Sequence, residues 1–192
     1  MVSKESYSIG TQDFAPLFTK VLASKPDAIH LNSWPTAGYL LRAARQAGFK
    51  GPIFSDSPLD PLVIKQTAGA ENSDNVFCNG MDPSSPTPEM KEVVDRWKKK
   101  YKEDFVTDAW VAWDTAWVLH QGIIKADTLD AKAVVAAFEQ LNKPGDVKTV
   151  FGAGMMTGKR DFGVDRVLSK PIPISRIDQG EIKLIKLQLP AT

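Results

Sequence analysis

The sequence is poor in the residues from which compact catalytic and metal centres are built. Its 192 residues include one cysteine and two histidines. A single cysteine, Cys78, excludes an intramolecular disulfide and every zinc site made from several thiolates. The segment around it, Asn75-Val76-Phe77-Cys78, reads as a short buried strand in which a thiol behaves as a small hydrophobe. An excess of charge is missing as well: 24 basic residues against 23 acidic ones leave a net charge of +1. Without a positive field there is no hold on a nucleic-acid backbone or an anionic membrane, which excludes a polyanion-binding role. No apolar run approaches the ~20 residues of a membrane helix. Met1 to Gly10 is polar and lacks the apolar stretch of a secretory signal. On this reading an export signal belongs to sequence removed upstream, or the chain stays inside the cell.

Reaction motifs are equally scarce. There is no G-x-S-x-G elbow, no H-E-x-x-H pair and no phosphate-cradling Walker loop. His30 and His120 fall on different elements, and His30, between Ile29 and Leu31, reads as a satisfied buried or edge imidazole. Glycines 152, 154 and 158 precede a strand and do not open a helix, so they form no anion nest. Asp13 and Asp56 share no motif that argues for acid–base work. The reading is a protein that is not an enzyme and carries no metal or cofactor.

What is present is an alternation of strand and helix patterns. Glu5–Ile9 reads as a strand, followed by a helix begun by Asp13 with Phe14, Leu17, Phe18, Val21 and Leu22 along one face. Ala28–Leu31 makes the next strand, and a helix over 36–47 buries Leu40, Leu41 and Ala44 before Gly48. Ile53-Phe54, a short helix from Asp60 to Ala68, and Asn75–Asn79 complete the series. Such spacing predicts βαβ units and a mainly parallel sheet covered on both faces. Asp82–Pro88, with three prolines and two serines, reads as a connector. Beyond it a helix over 88–102 is expected to bury Met90, Val93, Val94, Trp97 and Tyr101 and to expose Lys98–Lys100. A second, over about 107–125, is expected to bury Trp110, Trp113 and Trp117 on one face. Asp130 caps a third. The last fifty residues read as strands at 147–152, 162–168, 172–177 and 181–189, with a hairpin turn at Asp178-Gln179-Gly180.

Several segments in this order carry a resemblance. Thr11-Gln12-Asp13-Phe14-Ala15-Pro16-Leu17 with Lys25-Pro26-Asp27-Ala28-Ile29, then 43–53 (AARQAGFKGPI), then Ala112-Trp113-Asp114-Thr115-Ala116 and the closing Asp178-Gln179-Gly180-Glu181 hairpin, resemble the leucine/isoleucine/valine-binding proteins. The resemblance covers essentially the whole chain. It implies a type I periplasmic-binding-protein fold, α/β, with a parallel sheet and flanking helices in an incomplete two-lobe architecture. Residues 1–79 and 165–192 would belong to the second lobe and 80–164 to the returning part of the first. It further implies a fragment of a periplasmic or extracellular solute-binding protein that delivers amino acids or related small carboxylates to the membrane subunits of an ABC importer. Lobe-one residues that hold the ligand's amino and carboxylate groups have no counterparts in this chain. Surface left by the missing lobe favours self-association. An intracellular ligand-sensing domain of the same fold is the alternative.

Ligands of open α/β sheets bind beyond the carboxyl ends of parallel strands. Two such ends are polar here, Asn32-Ser33-Trp34 and Ser55-Asp56-Ser57, and by position they match the second-lobe loops that face the ligand in the family. The candidate ligand-binding residues are therefore Asn32, Ser33, Trp34, Asp56 and Ser57. Trp34 suits an apolar side chain or a cation, Asp56 an α-ammonium, and the serines neutral hydrogen bonds. The same residue types also cap the helices that follow strands, and the pattern by itself leaves both roles open.

Overall fold

Strands β1 (Ile29–Leu31), β2 (Ile53–Ser55) and β3 (Val76–Cys78) run parallel; helix α1 (Ala15–Ala23) precedes β1, α2 (Ala37–Gln46) links β1 to β2, and α3 (Pro61–Thr67) links β2 to β3. The computed structural model of the chain describes residues 1–189 other than 9, 34, 35, 83, 85 and 106. The chain divides into two units, one of Met1–Asp82 with Ile174–Ile185, the other of Pro83–Pro173 with Lys186–Thr192.

In the first unit the strand order is β1-β2-β3-β7-β8, where β7 (Ile172–Asp178) is antiparallel to β3 and β8 (Glu181–Gln188) returns beside it, so the sheet is mixed. Gln179 and Gly180 both take positive φ, 52° and 71°, the pairing a type I′ turn requires and the reason the expected hairpin closes there. Register brings Ile29, Ile53, Val76 and Ile177 into one row, all buried. They join Phe14, Phe18, Leu40, Leu41, Ala44 and Ile64 in a single core. Each of the large aliphatic side chains in it contributes about 1.5–3 kcal/mol by burial.

Local signals explain the helices. Asp13 Oδ1 accepts from Ala15 N at 2.9 Å, at the start of α1. Asp60 Oδ1 accepts from Leu62 N and Val63 N at the start of α3. At the end of α2, Gly48 (φ 93°) donates to Arg45 O and Phe49 donates to Ala44 O, a Schellman arrangement that turns buried Phe49 back onto the core. Arg45 then ties the loops below: its guanidinium donates to Phe49 O, Gly51 O and Asp74 O at 2.9, 2.8 and 2.6 Å. Burial pushes the pKa of Arg45 below the ordinary arginine value, against the opposing pull of Asp74.

Two expectations for this unit fail. Residues 5–8 form no strand; instead Thr11 N–H and its hydroxyl both donate to Ser8 O in a turn, while Ile9 lies outside the described residues. Among the described residues of this unit, the helices also cover only one face of the sheet. The opposite row, His30-Phe54-Phe77-Arg176, faces outward, with Phe54 42% exposed and stacked on Phe77 at 5.1 Å. The helices α1–α3 all pack on the other side, and the pattern of the strands alone does not say how many helices the chain can supply to each face.

The second unit is built on three helices, α4 (Pro88–Tyr101), α5 (Thr107–Ala126) and α6 (Ala131–Gln140), and an antiparallel sheet of β4 (Val147–Thr149), β5 (Gly152–Thr157) and β6 (Val167–Ser169). Thr87 Oγ1 caps α4 by accepting from Met90 N and donates to Val150 O. Asp130 Oδ1 caps α6 by accepting from Ala133 N. The strand expected over 147–152 reverses at Val150-Phe151, because Asp114 Oδ1 takes the Val150 N–H and Thr149 Oγ1 bonds both Phe151 N and Gly152 O. The strand expected over 162–168 is shorter, because the helix α7 (Lys159–Phe162) occupies its start and Asp165 holds the loop through Lys159 N. Tyr101 is exposed and leans on Trp97 at 4.5 Å. Of the three tryptophans of α5 only Trp110 is buried; Trp113 and Trp117 stack toward solvent with His120.

Candidate functional site

The carboxyl ends of β1, β2 and β3 lie side by side in the first unit, as their parallel register requires. Asp56 sits between the other two ends. Its N–H donates to Leu31 O at 3.5 Å and its C=O accepts from Asn79 Nδ2 at 3.1 Å, so one backbone residue is tied to the ends of both neighbouring strands. The Asp56 carboxylate is exposed and, among the described residues, accepts only from the Ser57 hydroxyl, at 3.3 Å. Buried Ser55 fixes the bend by exchanging hydrogen bonds with the Ser57 backbone.

At the end of β1, Asn32 is exposed and Ser33 is buried. The Ser33 hydroxyl bonds Thr36 Oγ1 at 2.9 Å, and Thr36 in turn bonds the Tyr7 hydroxyl at 2.8 Å. Trp34 lies outside the described residues. The polar side chains at these ends are not consumed as caps: α3 is capped by Asp60, and Thr36, at the head of α2, makes no side-chain cap. The structure therefore brings Asp56 and Ser57 into direct contact and sets Asn32 and Ser33 at the adjoining strand end.

Asn79 is the residue that sequence reasoning missed. Its Oδ1 is enclosed and has no partner among the described residues. Nothing in Cys78-Asn79-Gly80 distinguishes it by type, but its place one residue past β3, level with Asp56, is a signal that strand counting supplies. At this rim the Asp56 carboxylate is an exposed acceptor, and the Asn79 amide, enclosed beside it, holds the Asp56 backbone through Nδ2. Such a rim suits a group that donates in several directions, an ammonium above all. Among the described residues no cluster of three or more His, Cys, Asp or Glu side chains is placed to hold a metal, and no helix is long and apolar enough to cross a membrane.

The parallel strands, the helices between them and the polar residues past their carboxyl ends fit the type I periplasmic-binding-protein fold. A family model described as periplasmic binding protein matches residues 1–181, and the chain belongs to that family. Solved structures share the fold. The leucine-binding protein LivK of Thermotoga maritima is similar with a TM-score of 0.71 and 22% identity, over 94% of this chain and 50% of that one. LivJ of Streptococcus pneumoniae, a branched-chain amino acid transporter substrate-binding protein in complex with isoleucine, gives 0.72 and 20%, over 96% and 51%. A solute-binding protein of an ABC transporter from Rhodopseudomonas palustris, in complex with benzoate, gives 0.69 and 14%, over 97% and 49%. The chain spans about half the length of these relatives. A comparison with curated proteins gives no match.

Proposed function

We propose that this chain is part of the solute-binding component of an ABC importer, taking amino acids or related small molecules, with its parent protein periplasmic or extracellular. The observation that supports this is the exposed carboxylate at the strand ends: Asp56 receives the solute's ammonium group, while Asn32, Ser33 and Ser57 bond its other polar atoms. Binding then involves no chemical step. In this reading residues 1–79 and 165–192 act as the second lobe and 80–164 as the returning part of the first, so the chain supplies one wall of a cleft whose other wall lies in the half of the relatives it does not match. One wall gives weak binding, on the order of millimolar, or about −4 kcal/mol.

Titration of the labelled chain with leucine, followed by backbone amide NMR, tests this. Leucine is expected to shift the Asp56, Ser57 and Asn79 signals saturably, and 4-methylpentanoate, the same skeleton without the ammonium, is expected to leave them in place. Asp56→Asn should abolish the leucine response. Equal responses to both compounds would remove the ammonium assignment, and no response to any amino acid or small carboxylate at tens of millimolar would remove the site.

A further inference from the structure

Thr36 stands at the head of α2, where a threonine usually accepts from the free N–H groups of the first turn. It makes no such bond. Its hydroxyl is held sideways instead, between the Ser33 hydroxyl at 2.9 Å and the Tyr7 hydroxyl at 2.8 Å. Both lengths are those of well-formed O–H···O bonds. Tyr7 is itself fixed, because its ring stands edge-on to the Phe14 ring at 5.3 Å and packs against the core of the first unit. Three hydroxyls thus form one chain, anchored at the core and ending just past β1.

Three hydroxyls carry three protons, and two hydrogen bonds use two of them. A phenol is a stronger acid than an aliphatic alcohol and a poorer acceptor, so Tyr7 donates to Thr36 Oγ1. Hydroxyls polarise one another when each accepts and donates in turn, which favours a head-to-tail run over two donors converging on one oxygen. Thr36 therefore donates to Ser33 Oγ, and the unspent proton is that of Ser33. Ser33 is 5% exposed, and among the described residues only Thr36 bonds its hydroxyl. A buried donor without an acceptor costs stability, and a ligand that brings the acceptor recovers it.

We propose that Tyr7 and Thr36 are positioning residues, which commit the Ser33 hydroxyl to donating to a carboxylate of the solute. The proposal rests on the reading of these strand ends as a solute site. The Asp56 N–H bonds Leu31 O, so the Asp56 carboxylate stands on the strand end next to the one that carries Ser33. An acceptor on one strand end and a committed donor on the other match an ammonium and a carboxylate borne on one carbon. An amine of the same shape satisfies only the first. Without the chain, the Ser33 hydroxyl turns freely between donating and accepting, and the preference for a carboxylate is lost.

The test compares leucine with 3-methylbutan-1-amine, which is leucine without its carboxylate. Each is titrated into the labelled full chain and followed by the shift of the Asp56 amide. Wild type is expected to bind leucine about threefold or more tightly than the amine, the worth of one hydrogen bond. Tyr7→Phe removes one hydroxyl and keeps a ring against Phe14, and Thr36→Val removes the middle of the chain. Each is expected to weaken leucine about threefold and to leave the amine unchanged. Thr36→Ser, which keeps the hydroxyl, is expected to retain the wild-type preference. Equal affinity of wild type for the two compounds would overturn the proposal. So would equal weakening of both in the variants, which is what a loosened fold gives, or a Thr36→Ser variant as impaired as Thr36→Val. Absence of any wild-type leucine response removes the solute site itself, whereas a wild-type response that Tyr7→Phe leaves unaltered removes only the hydroxyl chain.

Discussion

Helix α2 in the first unit and helix α5 in the second both look apolar in the sequence, yet they are packed by different rules. In α2 the stripe Ala37, Leu40, Leu41, Ala44 is buried, and Arg45 beside it fixes the loops below the sheet. In α5 the buried positions are Trp110, Asp114, Val118 and Gly122, a stripe with a carboxylate in it, while Trp117, Leu119 and Ile124 face solvent. A helix that is apolar on every side is normally enclosed on every side. Helix α2 thus buries a wholly apolar stripe and keeps its charges at the margin, whereas α5 is fixed by one buried charge. Asp114 is 2% exposed; its Oδ1 holds the Val150 N–H at 2.8 Å and its Oδ2 pairs with Lys170, whose ammonium lies over the Trp110 and Phe151 rings at 5.6 and 5.3 Å.

The largest effect should come from breaking that pair from its exposed side. Lys170→Ala leaves the Asp114 carboxylate buried and without its cation, and is expected to lower stability by about 3–5 kcal/mol. Asp114→Ala should cost less, because Lys170 is part-exposed and its ammonium can turn to water. Denaturant melts of the two variants check the order. If Asp114→Ala proves the more damaging, the hydrogen bond to Val150 matters more than the pair, and the contrast between the helices must be redrawn.

Next in size is a paired test of the two stripes. Leu41→Ala removes a fully buried side chain from α2 and should cost about 2–5 kcal/mol. Ile124→Ser removes an aliphatic side chain of the same size class from α5, where it is 68% exposed, and should change stability by no more than about 0.5 kcal/mol. Equal losses in thermal melts would mean that Ile124 is covered in solution.

How much of this was legible follows from the same helices. Phe14 just before α1, Phe18 within it, the α2 stripe, and the cap at Asp130 all follow from spacing and local chemistry, and the structure has them buried or bonded as expected. Trp110 of α5 is buried as expected but Trp113 and Trp117 are not, because periodicity reports which residues share a face and not whether anything covers it. The hairpin of β4 and β5 was hidden because its turn is made by Asp114, far away in sequence. At the rim, Asp56 and Ser57 could be picked out as polar residues at a strand end. Asn79 is marked only by its place past β3, level with Asp56; that its amide oxygen is enclosed and has no partner among the described residues is a property of the folded chain.

The smallest effect concerns the other buried ionisable group near that rim, Cys78 on β3. Unlike Asp114 it has no charged partner among the described residues; burial pushes its thiol up, and hydrogen bonds with the Gly80 and Leu59 backbones only partly offset this. The folded state therefore keeps the neutral thiol at pH values where the unfolded chain ionises. The thiol's contribution to stability is fully present below the ordinary thiol value of about 8.5 and is lost as pH rises above it toward the folded value. Wild type and Cys78→Ala should differ in Tm by a constant amount from pH 6 to 8, with the gap narrowing only at higher pH. Alkylation at pH 8 should be slow in the folded chain and become fast on adding denaturant. Rapid alkylation of the folded chain would show that β3 opens readily, and that the first unit's core is less closed than the stripe of α2 implies.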